Sequence, residues 1–314
     1  MEVQGLHHVS SITKDIGQNL QFYRDVLGLR LVKKTVNQDD PSMYHLFYAD
    51  AKGSPGTDLT FFPMPYAGAT RRGVPDIAPL SLTVRDEASL EYWKERLPSP
   101  KEGLFIGRRA LFFTDPDGLP LVLVAAPDGG ESHPWEKSPV PVDHQVRGLG
   151  APLLQVREAR KTRQVLEEVL GLHRQGLGRI EGPEGAFSVE VFSPADARQW
   201  GVLLLELPHA PRLMLGRGGV HHLAFAIRDE EYEGWVERLT AFGLSHSGPV
   251  DRFWFRSIYF REPGGLLFEL ATLGPGFTRD EAEDELGERL VLPPFLENRR
   301  EAIEKALPPF PAGR

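Results

Sequence analysis

There is no cysteine among the 314 residues. That absence excludes a disulfide framework, a thiolate nucleophile and any cysteine-based zinc site, and leaves histidines and carboxylates as the strong metal ligands. Nor is there an apolar run near the roughly 20 residues that span a bilayer, so membrane insertion is not expected. The opening Met1-Glu2-Val3-Gln4-Gly5 lacks both a basic and an apolar export region, and a cytoplasmic location is expected. No Lys/Arg-rich block occurs and the formal charge is -8, which argues against nucleic acid, whose binding depends on clustered bases neutralising phosphates. What remains is small-molecule chemistry. The composition, 41% hydrophobic and 25% charged, is that of a soluble globular protein, and 314 residues exceed the size at which one core usually keeps growing, so two domains or two pseudo-symmetric halves are expected.

The chain does contain a hidden repeat. Val-Leu-Gly-Leu occurs at Val26 to Leu29 and again at Val169 to Leu172, an offset of 143 residues. The same offset carries Gly5-Leu6 onto Gly148-Leu149, and Val84-Arg85-Asp86-Glu87 onto Ile227-Arg228-Asp229-Glu230. Slightly shifted, Asp115-Pro116-Asp117-Gly118 resembles Glu262-Pro263-Gly264-Gly265. Within each half the pattern divides again. The first quarter reads as a strand, Leu6 to Thr13, then a helix capped by Asp15 with Ile16, Leu20, Tyr23 and Leu27 on its apolar face, ended by Gly28. Three strand-like runs follow, at Leu29 to Val36, Met43 to Ala49 and Thr57 to Phe62. This βαβββ unit recurs from about Leu80, from Gly148 and from Val220. The expected class is therefore α+β, with four βαβββ modules in two pseudo-symmetric halves, 1–135 and 145–275, and a tail at 276–314. The proline-bearing stretch from Pro127 to Arg147 reads as a linker, and the tail as a short helix or two packed outside the repeats.

Repeats alike in packing and unlike at a few polar positions show where function sits. On the first strands of the four modules, one equivalent position holds His8, Pro79, Ala151 and His222, and each histidine follows another, His7 and His221. On the last strand, module four carries Glu269 inside Leu266-Leu267-Phe268-Glu269-Leu270, where module two has Val122. An ionised carboxylate in an apolar strand costs several kcal/mol unless it is paired or binds metal. Two imidazoles and one carboxylate on one face form the ligand set of non-haem Fe(II) oxygenases, with coordination positions left open. His8, His222 and Glu269 are thus the expected metal ligands. Strand alternation points His7 and His221 to the opposite face unless the strand is distorted. A lone histidine on a strand is usually a packing or surface group, and His45, His133, His144, His173, His209 and His246, without paired partners, are read that way.

Together, Gly5-Leu6-His7-His8, Tyr44 through Asp50 with Gly53 to Thr57, His221-His222-Leu223-Ala224-Phe225, Pro263 through Glu269 and Gly276-Phe277-Thr278 resemble the vicinal oxygen chelate (glyoxalase/bleomycin resistance/dioxygenase) superfamily. Over nearly the whole chain the closer likeness is to its hydroquinone-type ring-cleaving dioxygenases. That resemblance implies an oxidoreductase of aromatic catabolism, with Fe(2+) or alternatively Mn(2+) as cofactor, and a small aromatic substrate and O2 as partners. It implies that module one supplies His8 while module four supplies His222 and Glu269, whereas catechol-cleaving members draw all three ligands from the second half. Ala151 and Pro79 are incompatible with that other arrangement. Tyr259 and Arg252 match positions facing the substrate, and His7 and Ser10 match polar positions near the metal, Ser10 standing where threonine is expected. Tyr259 and His7 are the candidate acid/base groups and Arg252 the candidate for stabilising a developing oxyanion. The alternatives are a glyoxalase-type metal-dependent lyase or isomerase, whose sites commonly carry two carboxylates, and a non-catalytic small-molecule-binding protein of the same fold. Assembly into a homo-oligomer is left open.

Overall fold

The computed structural model describes residues 1–126, 132–196 and 200–311. Its core is two mixed sheets curled into half-barrels. One has eight strands in the order Val250–Asp251, Arg256–Arg261, Leu267–Thr272, Val220–Ile227, Leu6–Thr13, Asp58–Pro63, Tyr44–Ala49, Arg30–Val36. The other has ten: Gly148–Leu149, Leu80–Val84, Pro120–Ala125, Arg108–Thr114, Lys101–Phe105, His173–Gly182, Gly185–Ser193, Val202–Glu206, Leu153–Val156, Asp76–Ile77. Modules one and four build the first sheet and modules two and three the second, so each sheet takes one module from each sequence half. The seam of the first is the antiparallel pairing of Leu6–Thr13 with Val220–Ile227.

Helices cover the outer faces. The helix predicted from Ile16, Leu20, Tyr23 and Leu27 does start at an Asp15 cap, whose carboxylate accepts from the Gln18 amide at 2.8 Å. It does not stay α-helical. After Ile16–Leu20 the chain widens into a π-turn over Gln21–Val26, where the Leu27 amide donates to the Phe22 carbonyl. Module three repeats this, with Ala159–Gln164 followed by a π-turn at Val165–Val169. Each π-turn runs into a glycine, Gly28 at φ +73° and Gly171 at φ +74°. A Cβ on Gly28 would lie 2.6 Å from Val140, so conformation and space both demand glycine there. An apolar periodicity near 3.6 cannot reveal one wide turn, because the same residues still reach the core: Tyr23 and Leu27 are fully buried.

Of the expected linker, 127–131 lie outside the described residues. The part from 132 onward is packed down, with Ser138 donating to the Gly28 carbonyl and Trp93 to that of His144. The tail, apart from 312–314, which lie outside the described residues, forms short helices at Phe277–Arg279, Glu283–Glu285, Pro294–Arg299 and Arg300–Ala306. It is fastened by a residue that the sequence reading passed over. Lys33 is fully buried, and its ammonium contacts the Phe277 carbonyl, Asp280 and Glu281 while lying 5.0 Å from the centre of the Trp254 ring. Among the described residues no helix is long and apolar enough to cross a membrane.

Lys33→Met should strand the buried Glu281 without its cation. Loss of one partner from a buried pair costs about 3 kcal/mol or more. The expected outcome is a lower denaturation midpoint together with faster proteolysis after residue 276. A parental midpoint in Lys33→Met would show that the lysine does not hold the tail.

Candidate metal centre

The inner face of the first half-barrel forms a small grid. In register, His8 lies opposite Ala224 and Ser10 opposite His222, so the two histidines form a diagonal pair across the seam. Ala224 is also paired with Glu269 on the next strand. The methyl of Ala224 is small enough for His8 and Glu269 to meet across it. His8 Nε2 lies 3.2 Å from Glu269 Oε2, His222 Nε2 lies 2.9 Å from the same oxygen, and the two imidazole nitrogens are 3.3 Å apart. All three side chains are buried. Donor spacings near 3 Å are those of neighbouring ligands around one ion with bonds of about 2.1 Å.

The donor chemistry fits a divalent cation. Glu269 Oε1 is occupied by the Ser257 hydroxyl, which leaves Oε2 buried with no hydrogen-bond donor beyond the two imidazoles. Burial alone would raise the Glu269 pKa, but the His8 and His222 rings outweigh it and hold the carboxyl well below its usual range. Burial lowers the pKa of His222. An ionised carboxylate and a neutral imidazole are the ligand states that metal binding requires. Among the described residues, His8, His222 and Glu269 form the one group of three such side chains close enough to share an ion.

The second histidines sit behind the ligands. His7 Nδ1 is 2.9 Å from His8 Nδ1, and His221 Nδ1 is 2.8 Å from His222 Nδ1. A bulge between Leu6 and His8 brings His7 round from the face that alternation assigns to it. Burial, then the neighbouring His8, lowers the His7 pKa to about 3, so the ring is neutral. His8 Nε2 points to Glu269 and His222, and the tautomer that leaves its lone pair free for an ion is the one in which His8 Nδ1 donates to His7 Nδ1.

A cleft of about 240 Å³ opens over His8 and His222, and Phe47, Phe62, Trp254, Phe255 and Leu267 contribute to its walls. Tyr259 and Arg252 line it; His7 does not. Tyr259 pairs in register with Glu269, and its ring is 5.7 Å from that of His222. Its hydroxyl accepts from Arg252 Nε at 3.2 Å, and Arg252 is clamped by Asp39 of module one at 3.0 and 2.8 Å. Burial, then the Glu269 charge, raises the Tyr259 pKa, so the hydroxyl keeps its proton. Ser10 bonds the Thr60 hydroxyl at 2.6 Å. By register Thr60 is module one's counterpart of Glu269, so no second carboxylate stands there. His45, expected to be a packing or surface group, packs against Phe47 and Phe62 but also lines the cleft, its Nε2 2.9 Å from Thr60. Asp39, Trp254 and Phe255 were not singled out in the sequence. None has a counterpart contrast between modules, which was the signal that exposed the ligands.

A mixed half-barrel carrying two histidines and a glutamate on its inner face is the architecture of the vicinal oxygen chelate proteins. The chain belongs to the Glyoxalase/Bleomycin resistance protein/Dioxygenase superfamily, whose family model matches residues 5–123 and 145–270. It is 44% identical to the Bacillus subtilis protein named "Putative ring-cleaving dioxygenase MhqA", over 99% of this chain and 100% of that one. It is 29% identical to the "Chlorohydroquinone/hydroquinone 1,2-dioxygenase" of Sphingobium indicum, over 97% of this chain and 96% of that one. A crystal structure of a Bacillus subtilis protein described as a "putative dioxygenase" superposes with a TM-score of 0.87 at 34% identity, covering 99% of this chain and 98% of the other.

His8→Ala, His222→Ala and Glu269→Gln are each expected to lose bound divalent metal while keeping the parental circular dichroism. Ala224→Leu should do the same without touching a ligand, since its side chain would fill the space between His8 and Glu269. Metal analysis after dialysis decides each case, and full occupancy in any one variant removes that position from the site.

Proposed function

We propose that the chain opens the ring of a hydroquinone-type aromatic diol with O2, using Fe(II) held by His8, His222 and Glu269. The observation that carries this reading is the meeting of His8 Nε2, His222 Nε2 and Glu269 Oε2 within 3.3 Å of one another, with the two histidines lining an aromatic-walled cleft. Two imidazoles and one carboxylate are the ligand set of non-haem Fe(II) oxygenases. Relatives named ring-cleaving and hydroquinone dioxygenases support the same reaction class. An Fe(II) ion held there supplies the O2 chemistry that side chains alone lack.

The protein's own groups then have distinct tasks. Phe47, Phe62, Trp254 and Phe255 sandwich an aromatic ring and exclude water from it. Tyr259, protonated and aimed by Arg252, donates to an oxygen or carbon of the substrate on which negative charge develops. The Arg252 guanidinium, held by Asp39, stabilises that charge through the phenol and keeps module one and module four in register at the mouth of the cleft. His7 acts through His8, fixing its tautomer, and is a positioning residue rather than a direct acid or base. The glyoxalase-type alternative is disfavoured by Thr60, a neutral hydroxyl where a second carboxylate would be needed. A purely sequestering protein has no use for the ligand triad.

Anaerobic loading with Fe(II), followed by oxygen-uptake measurements on matched diols, tests the reading. Para-diols should be consumed faster than ortho-diols of similar size, and preference for catechols would refute the substrate assignment. Tyr259→Phe keeps the ring and removes the hydroxyl. The expected result is a kcat lower by about 10²-fold, with metal content unchanged and KM changed less. Parental turnover in Tyr259→Phe would exclude that hydroxyl from the rate-limiting proton transfer.

A further inference from the structure

The second half-barrel keeps the bowl of the first and has lost its metal site. In module two Val122 pairs with Ser81, two residues after Pro79, just as Glu269 pairs with Ala224, two residues after His222. In module three Leu203 pairs with Leu153, two residues after Ala151. The counterparts of the ligands are therefore Pro79, Ala151, Val122 and Leu203, and the last three lie in an apolar cluster on the inner face of that sheet. Above this cluster the bowl is not filled. A cavity of about 420 Å³ remains, walled by Phe112, Leu153, Ile180, Phe187 and Leu205. It is larger than the metal cleft and shares no lining residue with it.

The polar groups of this cavity restrict what it can take. Arg72 and the buried Asp76 reach it but are paired with each other at 3.1 Å, and Arg72 also donates to the Gly118 and Gly218 carbonyls. Lys101 and Glu184 add one charge of each sign. An ion entering would gain no net countercharge and would lose its hydration against hydrocarbon walls. Gln155 is different. Its Nε2 donates to the Ala78 carbonyl, which fixes the amide orientation and leaves Oε1 as an acceptor without a donor among the described residues. A cavity of a few hundred Å³, mostly apolar, with one placed acceptor is the form of a small-molecule site.

We infer that the cavity between modules two and three is a second binding site, for a neutral one- or two-ring aromatic alcohol whose hydroxyl donates to Gln155 Oε1. The ring lies among Phe112, Ile180, Phe187 and Leu205. The site requires no metal and no turnover, so it stands independently of the function proposed for the other cleft.

1-Naphthol and naphthalene serve as probes, titrated calorimetrically into the full-length, metal-loaded protein under anaerobic conditions. The expected result is saturable 1-naphthol binding that Leu205→Trp weakens at least 10-fold by filling the cavity, with metal content and oxygen uptake on diols unchanged. Gln155→Leu keeps the shape and removes the acceptor, so it should weaken 1-naphthol about 10-fold and leave naphthalene affinity within 2-fold. No saturable binding in the parent overturns the proposal, as does parental 1-naphthol affinity in folded Leu205→Trp. If Leu205→Trp does not fold, the Gln155→Leu comparison decides alone: unchanged 1-naphthol affinity, or equal loss for both probes, overturns it.

Discussion

Two strands more than 200 residues apart, Leu6–Thr13 and Val220–Ile227, pair antiparallel, and the first sheet is assembled outward from that seam. Side chains alternate strictly along a strand, so a one-residue slip would turn His8 or His222 away from the inner face. In the register observed, His8 and His222 lie diagonally across the seam, with Ala224 and Ser10 completing the square. Glu269 enters from the neighbouring strand, which is parallel to Val220–Ile227. The carboxylate is tolerable in a sheet interior because two imidazoles and the Ser257 hydroxyl surround it. The same crowding makes the site a poor place for anything but a cation.

The surroundings reinforce that seam from both sides. Arg252 of module four and Asp39 of module one close the mouth of the cleft. On the same face as Phe47, Lys33 ties module one to the tail, and Trp254, which lines the cleft, bonds the same Asp280 that contacts Lys33. Turn carboxylates do comparable work between modules: Asp115 accepts from the Tyr23 hydroxyl, and its counterpart Glu262 accepts from Thr162. Burial raises the Asp115 pKa to about 6, which marks how far this contact lies from solvent. Fold and chemistry thus share their supports, since the residues that join modules also shape the cleft.

Pseudo-symmetry explains why the two bowls could diverge. A βαβββ module needs only apolar packing to fold, so the inner-face positions are free to carry either ligands or hydrocarbon. The first bowl carries His8, His222 and Glu269; the second has Pro79, Ala151, Val122 and Leu203 at the corresponding places. Comparing copies within one chain substitutes for comparing relatives. It identifies positions whose residue type packing does not dictate.

The sequence by itself determined the four-module architecture, the Asp15 cap, the glycine at position 28 and the three metal-ligand candidates, because each rests on local conformation or on a contrast between repeats at a fixed offset. Apart from the ligand contrast that draws modules one and four together, it could not determine which modules share a sheet. That choice depends on long-range strand pairing, and any two modules present similar apolar edges to one another. The same limit hid His45, Asp39, Trp254 and Lys33, ordinary residues locally, whose placement depends on register, on a bulge or on the path of the tail. The π-turns at Gln21–Val26 and Val165–Val169 were hidden because one wider turn leaves the apolar pattern intact, and the strand bulge beside His7 because Leu6–Thr13 is buried throughout and shows no alternation to break. Chemistry could be read where two repeats differed in kind; geometry was decided only when distant strands met.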